Sequence, residues 1–400
     1  MPTAPPAPQI PTPAAPRLDS IDALRGLVMV LMALDHTRDF FHFGAIHGHD
    51  PLDFQQTTPA LFFTRWITHF CAPTFIFLAG MGAYLTGTRG RSRRELSWFL
   101  LTRGLWLILL EITFVQWAGW RFGINGEFHQ ANVIWAIGWS MLALAALVHL
   151  PVAAVTTFGL VMITTHNAFD GIKTSTLGAW GPLWTVLHEG GTVDLGGGHK
   201  LAVGYPLIPW IGVIAAGYGC AHGLMRTPIS RRAWLLRLGV ALTAAFVALR
   251  LSNLYGDARL WSVQSTLLAT LYSFLHCVKY PPSLGYLLMT LGPALIVLGL
   301  LDRRTPGWMR PLLNFGRVPM FFYLLHLPLV HGLAVLSASW RWGRADWLYG
   351  ATPADPPADA GFGLFGTYLA WSVCSVLLFF ACRWFANLKR RRRDAWLNYL

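Results

Sequence analysis

Ten stretches of about twenty apolar residues recur along the chain, and they limit its fold more than any other feature. They lie near residues 20–41, 62–86, 96–117, 131–149, 151–169, 204–225, 233–251, 283–301, 312–337 and 364–386. As a helix, each run matches the hydrocarbon thickness of a bilayer. Lipid offers no partner to an exposed backbone amide, so helices and closed barrels are the only structures that cross it. These runs are about twice the length of a barrel strand. The expected fold is therefore all-α: a polytopic integral membrane helix bundle of about 10 transmembrane helices. Charge agrees, at 12% of residues where soluble domains carry about 25%.

The segments between the runs sort by charge. "TRGRSRRE", "RTPISRR", "DRRTPGWMR" and the final "KRRRR" are strongly basic. Loops 42–60, 118–130, 170–203, 252–282 and 338–362 alternate with them and are longer and less basic. Basic loops stay in the cytoplasm, so both termini are expected there. The net charge of +13 gathers in these short clusters, without a soluble basic fold to grip nucleic acid. Residues 1–16, rich in Pro and Ala, read as a disordered cytoplasmic tail without signal-peptide character. Residues 17–388 then form one membrane domain, and 389–400 a basic cytoplasmic tail. Residues 258–280 would upset the charge alternation as an extra span, so they read as re-entrant or interfacial on the outer side. The five cysteines lack paired spacing; neither a disulfide framework nor a metal site is expected.

Ionisable residues inside spans are costly and mark function. The first run, "SIDALRGLVMVLMALDHTRDFF", carries Arg25 and His36 eleven positions apart. Eleven helical steps return to within roughly 20° of the starting face and advance roughly 16 Å. Arg25 thus lies near the cytoplasmic end and His36 near the outer end of one face. Asp39, three residues beyond His36, is placed to orient its imidazole, while Asp35 and Arg38 share the spacing of a local ion pair. Other spans bring His69, Glu111, His326 and His331 to the outer half, where they suggest a polar cavity open to that face. As single residues they also suit interhelical hydrogen bonds. Arg103 and Arg317 join Arg25 near the cytoplasmic surface, where guanidinium forks suit phosphates.

"RLDSIDALRGLVMVLMALDH" closely resembles the first core span of the heparan-alpha-glucosaminide N-acetyltransferase-like family of membrane proteins. "TRWITHFCAPTFIFLAG", "RGLWLILLE", "YPLIPWIGVIAAGYG", "KYPPSLGYLLMTLGP" and "FGRVPMFFYLLH" resemble its bacterial members, so the likeness runs from residue 17 to about residue 330. The same Arg-to-His spacing is similar to that of membrane acyltransferases acting on surface polysaccharides. The resemblance implies a membrane acyltransferase, acetyl-CoA or another acyl-CoA as cytoplasmic co-substrate, and a glycan or other small envelope acceptor reached from the outer side. It implies a bacterial inner membrane as location. In the lysosomal enzyme, as the resemblance runs, the position of His36 looks like an asparagine and the active histidine lies just beyond the span. That leaves His36 and His47 as the two catalytic candidates, with Asp35 and Asp39 beside the first. The lysosomal enzyme's long lumenal extension has no counterpart here, so heparan itself is not the expected acceptor. Arg25, Arg103 and Arg317 are the candidates for the CoA phosphates, and His69, Glu111, His326 and Lys279 for the acceptor. Direct transfer and an acyl-histidine intermediate both stay open, as do monomer and homodimer. The competing class is a transporter using the same groups as a proton relay, against which stands the lack of an internal repeat. A structural scaffold explains the hydropathy but not the ionisable face.

Overall fold

A computed structural model describes residues 18–54, 56–123, 127–303, 306–350, 354–392, 394 and 397. The expected tail at 1–16 lies outside the described residues, as does most of the basic tail after Arg392.

Helices form at each of the ten expected places. They are α1 (Asp19–Phe41), α2 with α3 (Pro59–Thr68 and Cys71–Gly87), α4 (Arg93–Leu110), α5 (Val133–Leu147), α6 (Val152–Thr165), α7 (Leu207–Cys220), α8 (Pro228–Ser252), α10 (Leu284–Leu301), α11 with α12 (Arg310–Arg317 and Pro319–Trp342) and α13 (Leu364–Arg391). Eight of these segments are long and apolar enough to cross a membrane. The other two are α5, with 15 residues, and α1, which has the length (23 residues) but carries more charge. The chain is thus an all-α polytopic membrane bundle. Residues 258–280 supply only the nine-residue helix α9 (Leu267–Leu275), roughly 14 Å long and too short to span.

Two expected spans are broken, and proline accounts for both. Pro73 has no amide hydrogen for the carbonyl of His69, four residues back, so α2 and α3 separate there. The Tyr286 hydroxyl fills the vacancy, donating to the His69 carbonyl at 2.8 Å. Val318 precedes Pro319 and takes φ −132°, outside the helical region, which separates α11 from α12. After α4 the chain continues as a π-helix, Glu111–Arg121. It leads into a three-stranded sheet of β1 (Phe128–Ala131), β2 (Gly191–Gly196) and β3 (His199–Val203). Its order is β1-β3-β2, parallel between β1 and β3 and antiparallel between β3 and β2. Gln116 of the π-helix ties the two together, its Oε1 accepting from the Gln130 amide at 2.9 Å.

α1 is the axis of the bundle, packed by α2, α3, α10, α11, α12 and α13. α13 lies at the rim, with Phe365, Leu369, Val376, Phe380 and Trp384 exposed at helical spacing, a face suited to lipid. α11 meets α1 with backbones almost touching. A Cβ on Gly316 would lie 1.8 Å from the Asp22 carbonyl oxygen, and one on Gly26 2.0 Å from that of Leu312. Both positions must be glycine for this approach, the usual device for close helix contact in lipid. Gly316→Val is expected to push α11 off α1 and reduce the detergent-solubilised melting temperature, whereas Gly82→Val, where a Cβ meets nothing, is expected to leave it unchanged. Equal melting temperatures would contradict the packing.

Candidate active site

His36 lies on α1 and His326 on α12, 290 residues apart, with His36 Nδ1 2.8 Å from His326 Nε2. The rings stack, with centroids 5.0 Å apart, and Trp120 meets His36 edge-on at 5.2 Å. The proton positions follow from the neighbours. His326 Nδ1 is 2.6 Å from the Tyr323 carbonyl oxygen, which accepts only, so in neutral His326 the proton sits on Nδ1. Its Nε2 is then an acceptor, and His36 Nδ1 donates to it. That leaves the lone pair of His36 on Nε2, the form a general base needs. Asp39, expected to orient His36, instead accepts from Arg38 Nη2 at 2.6 Å. A residue three positions on is rotated roughly 60° around the helix, and Arg38 draws its carboxylate away; His326 is the orienting partner.

Asp35 faces another way. Arg65 Nη1, from α2, donates to both its oxygens at 2.8 and 2.7 Å. The expected Asp35–Arg38 pair forms as well, at 3.4 Å. Lys279 lies in a reverse turn closed by Lys279 and Pro282, and its charge reaches Asp35, His36 and His69. Asp35 therefore pairs with two arginines beside His36, with Lys279 in electrostatic reach. His69 is buried under Tyr286, ring centroids 5.5 Å apart.

The polar groups do not frame the open outer cavity that the sequence suggested: His69, Glu111, His326 and His331 are all buried. His331 is held by the carbonyl oxygens of Gly119 and Leu348, both at 2.8 Å. Glu111 meets the backbone of Ile134 and Trp135 in the first turn of α5, where a helix end favours negative charge. A cavity of about 270 Å³ lies instead alongside α1, with Arg25, Arg103 and Thr86 in its wall together with Met32, Val133 and Tyr323. Met32 is one turn before His36 and Tyr323 one turn before His326, so this mostly apolar space runs from the arginines toward the histidine pair. Arg25 Nη1 is fixed at 3.1 Å from both Asp22 Oδ1 and the Gly316 carbonyl oxygen.

Two expected site residues fall elsewhere. Arg317 reaches Asp19 at 3.3 Å and lines a separate surface recess with Arg231, Arg303 and Arg310, because it is the last residue of α11, just before the break at Val318. His47 packs on Phe43, and its Nε2 is 3.2 Å from the Ala360 carbonyl oxygen. It follows the short helix Phe43–Ile46 that comes after α1 and makes no contact with the His36–His326 pair among the described residues.

Among known protein families, residues 17–261 match the model described as heparan-alpha-glucosaminide N-acetyltransferase, catalytic. The chain belongs to this family. No curated protein sequence matches it significantly. The heparan-alpha-glucosaminide N-acetyltransferase match covers α1 through α8 and so includes Arg25, His36, Arg65 and Arg103; His326 lies beyond it. With eight membrane-length helices among the described residues, this family member is an integral membrane protein of the acetyltransferase type. Arg65, Trp120 and Tyr286 are members of the histidine neighbourhood that the sequence reading passed over. Arg65, four residues before His69 in an apolar span, carried a visible signal, being an intramembrane cation that needs an acid.

Proposed function

We propose that this protein transfers an acyl group, acetyl in the first instance, from cytoplasmic acyl-CoA to a sugar or other envelope acceptor reached from the opposite face. Its place would be a bacterial inner membrane, with both termini in the cytoplasm. The observation carrying this reading is the His36–His326 pair, whose hydrogen bonds put a lone pair on His36 Nε2 within a turn of the cavity that Arg25 and Arg103 line. A thioester is already activated, so the chemistry asks for a base on the acceptor hydroxyl or amine and for donors to the developing oxyanion. His36 supplies the base. As the acceptor oxygen or nitrogen attacks the thioester carbonyl, its proton moves to His36 Nε2, and CoA leaves as the thiolate. The Asp35 carboxylate, in electrostatic reach of His36, then stabilises the charge on the imidazole. Arg25 and Arg103 hold CoA phosphates at the other end, with the roughly 16 Å between Arg25 and His36 bridged by the extended arm of CoA.

Arg103→Gln is the test of the donor end. Loss of one charge-assisted hydrogen bond of about 1.5–3 kcal/mol raises the KM for acetyl-CoA by about tenfold or more and leaves kcat nearly unchanged, since that contact holds substrate and transition state alike. Steady-state kinetics with acetyl-CoA as the varied substrate read this. An unchanged KM would remove Arg103 from the donor site.

A further inference from the structure

Between α6 and α7 a second group of donors gathers, away from the histidine pair. His166 begins the 3-10 turn that ends α6, Asp170 follows four residues later, and His188 comes from the helical turn Thr185–Glu189. One ligand atom from each lies within 4.8 Å of the other two. His188 Nε2 is already 3.1 Å from Asp170 Oδ1. Both ring nitrogens of His166 and Nδ1 of His188 are buried without a hydrogen-bond partner, and the two residues are only 1% and 2% exposed. Buried polar atoms of this kind are uncommon and call for an explanation such as water or an ion.

We propose that His166, Asp170 and His188 form a binding site for a divalent transition-metal ion of the zinc class. Two imidazole nitrogens and one carboxylate oxygen are the donor set of three-ligand zinc sites, which keep a fourth position open. Bonds of about 2.0–2.1 Å in a tetrahedron set donors roughly 3.3–3.4 Å apart. The His188–Asp170 distance of 3.1 Å is about 0.2–0.3 Å short of this, and a rotation of the His166 ring would bring its nitrogen in from within 4.8 Å. The second oxygen of Asp170 is already held, accepting from Asn167 Nδ2 at 2.9 Å. Asn167 is in turn fixed by the Leu284 amide, which donates to its Oδ1 at 2.9 Å. Such outer partners orient metal ligands. Asp170 and His188 also line a cavity of about 250 Å³ whose wall includes Lys173, Glu189, Tyr280 and Ser283. The open position would face that cavity, where an oxygen or nitrogen ligand could complete the coordination. The expectation of no metal came from cysteine spacing; these donors contain no cysteine. The site stands independently of the acyl-transfer reading.

The test is metal binding by the full chain, purified in detergent through a tag without histidine and stripped with chelator. Calorimetric titration with Zn²⁺ is expected to show one equivalent per chain, and Co²⁺ the intense visible absorption of a tetrahedral site. Asn167→Ala is expected to weaken binding about 10–100-fold, and His166→Ala, His188→Ala and Asp170→Asn by more. The double variant His129→Ala/His199→Ala removes a stacked pair of sheet histidines whose centroids are 6.5 Å apart; it should bind as the parent does. Zn²⁺ should raise the melting temperature of the parent but not that of Asp170→Asn, a near-isosteric change that checks folding. No binding by the parent at micromolar Zn²⁺, or undiminished binding by the His166 and His188 variants, overturns the proposal.

Discussion

His36→Ala lowers acetyl transfer by about 10²–10⁴-fold, the contribution of a positioned general base. The loss falls on kcat, because the imidazole acts only once the acceptor proton is moving. Alanine also removes the donor to His326 Nε2, and stranding a buried acceptor costs about 1–3 kcal/mol, so lost activity alone would not separate chemistry from folding. His36→Asn does. Its amide can donate to His326 as the imidazole does, yet it cannot take a proton near neutrality. The account expects His36→Asn to keep the parent melting temperature in detergent while remaining as inactive as the alanine variant. Near-parental turnover in His36→Asn would move the base elsewhere, with His47 the next candidate.

Asp35→Asn destabilises the bundle by about 3–5 kcal/mol, the cost of leaving buried charge without its partner. The carboxylate holds Arg65 at 2.7 Å and Arg38 at 3.4 Å, with Lys279 in electrostatic reach. The side chains of Asp35 and Arg65 are 15% and 14% exposed, too little for water to take over. Removing the acid strands Arg65 without its carboxylate, whereas Arg38 keeps Asp39 at 2.6 Å. Removing a cation is less severe: after Arg65→Met, Asp35 still has Arg38. The two variants should therefore separate in thermal unfolding, Asp35→Asn melting well below Arg65→Met. The reverse order, or two small effects, would show that the cluster is solvated and not a structural ion network.

The helices were legible in the sequence because hydropathy is a local signal: every apolar run became a helix, and the prolines at 73 and 319 mark the two breaks. The side shared by Arg25 and His36 was legible too, since helical geometry alone sets it. Partnerships across the fold were not. Nothing near His36 announces that His326, 290 residues on, supplies its hydrogen-bond partner, while the nearer Asp39 pairs with Arg38. The recess that Arg317 lines was not legible either. The depth of Arg317 was judged by position in an apolar run, whereas the break at Val318 puts it in a separate short helix, paired with Asp19. His166, Asp170 and His188 share no motif, since 17 residues separate the last two, and only the fold brings them together.

The measurement that bears most directly on the account is acetyl transfer across a sealed bilayer. Purified protein in liposomes is given labelled acetyl-CoA on one side and amino-sugar acceptors on the other, in both arrangements. The account predicts CoA release coupled to labelled product in the opposite compartment, when acetyl-CoA faces the Arg25 end, and neither with His36→Asn. Folded parent protein that consumes no thioester in either arrangement, or that carries the sugar across without acetylating it, would contradict it.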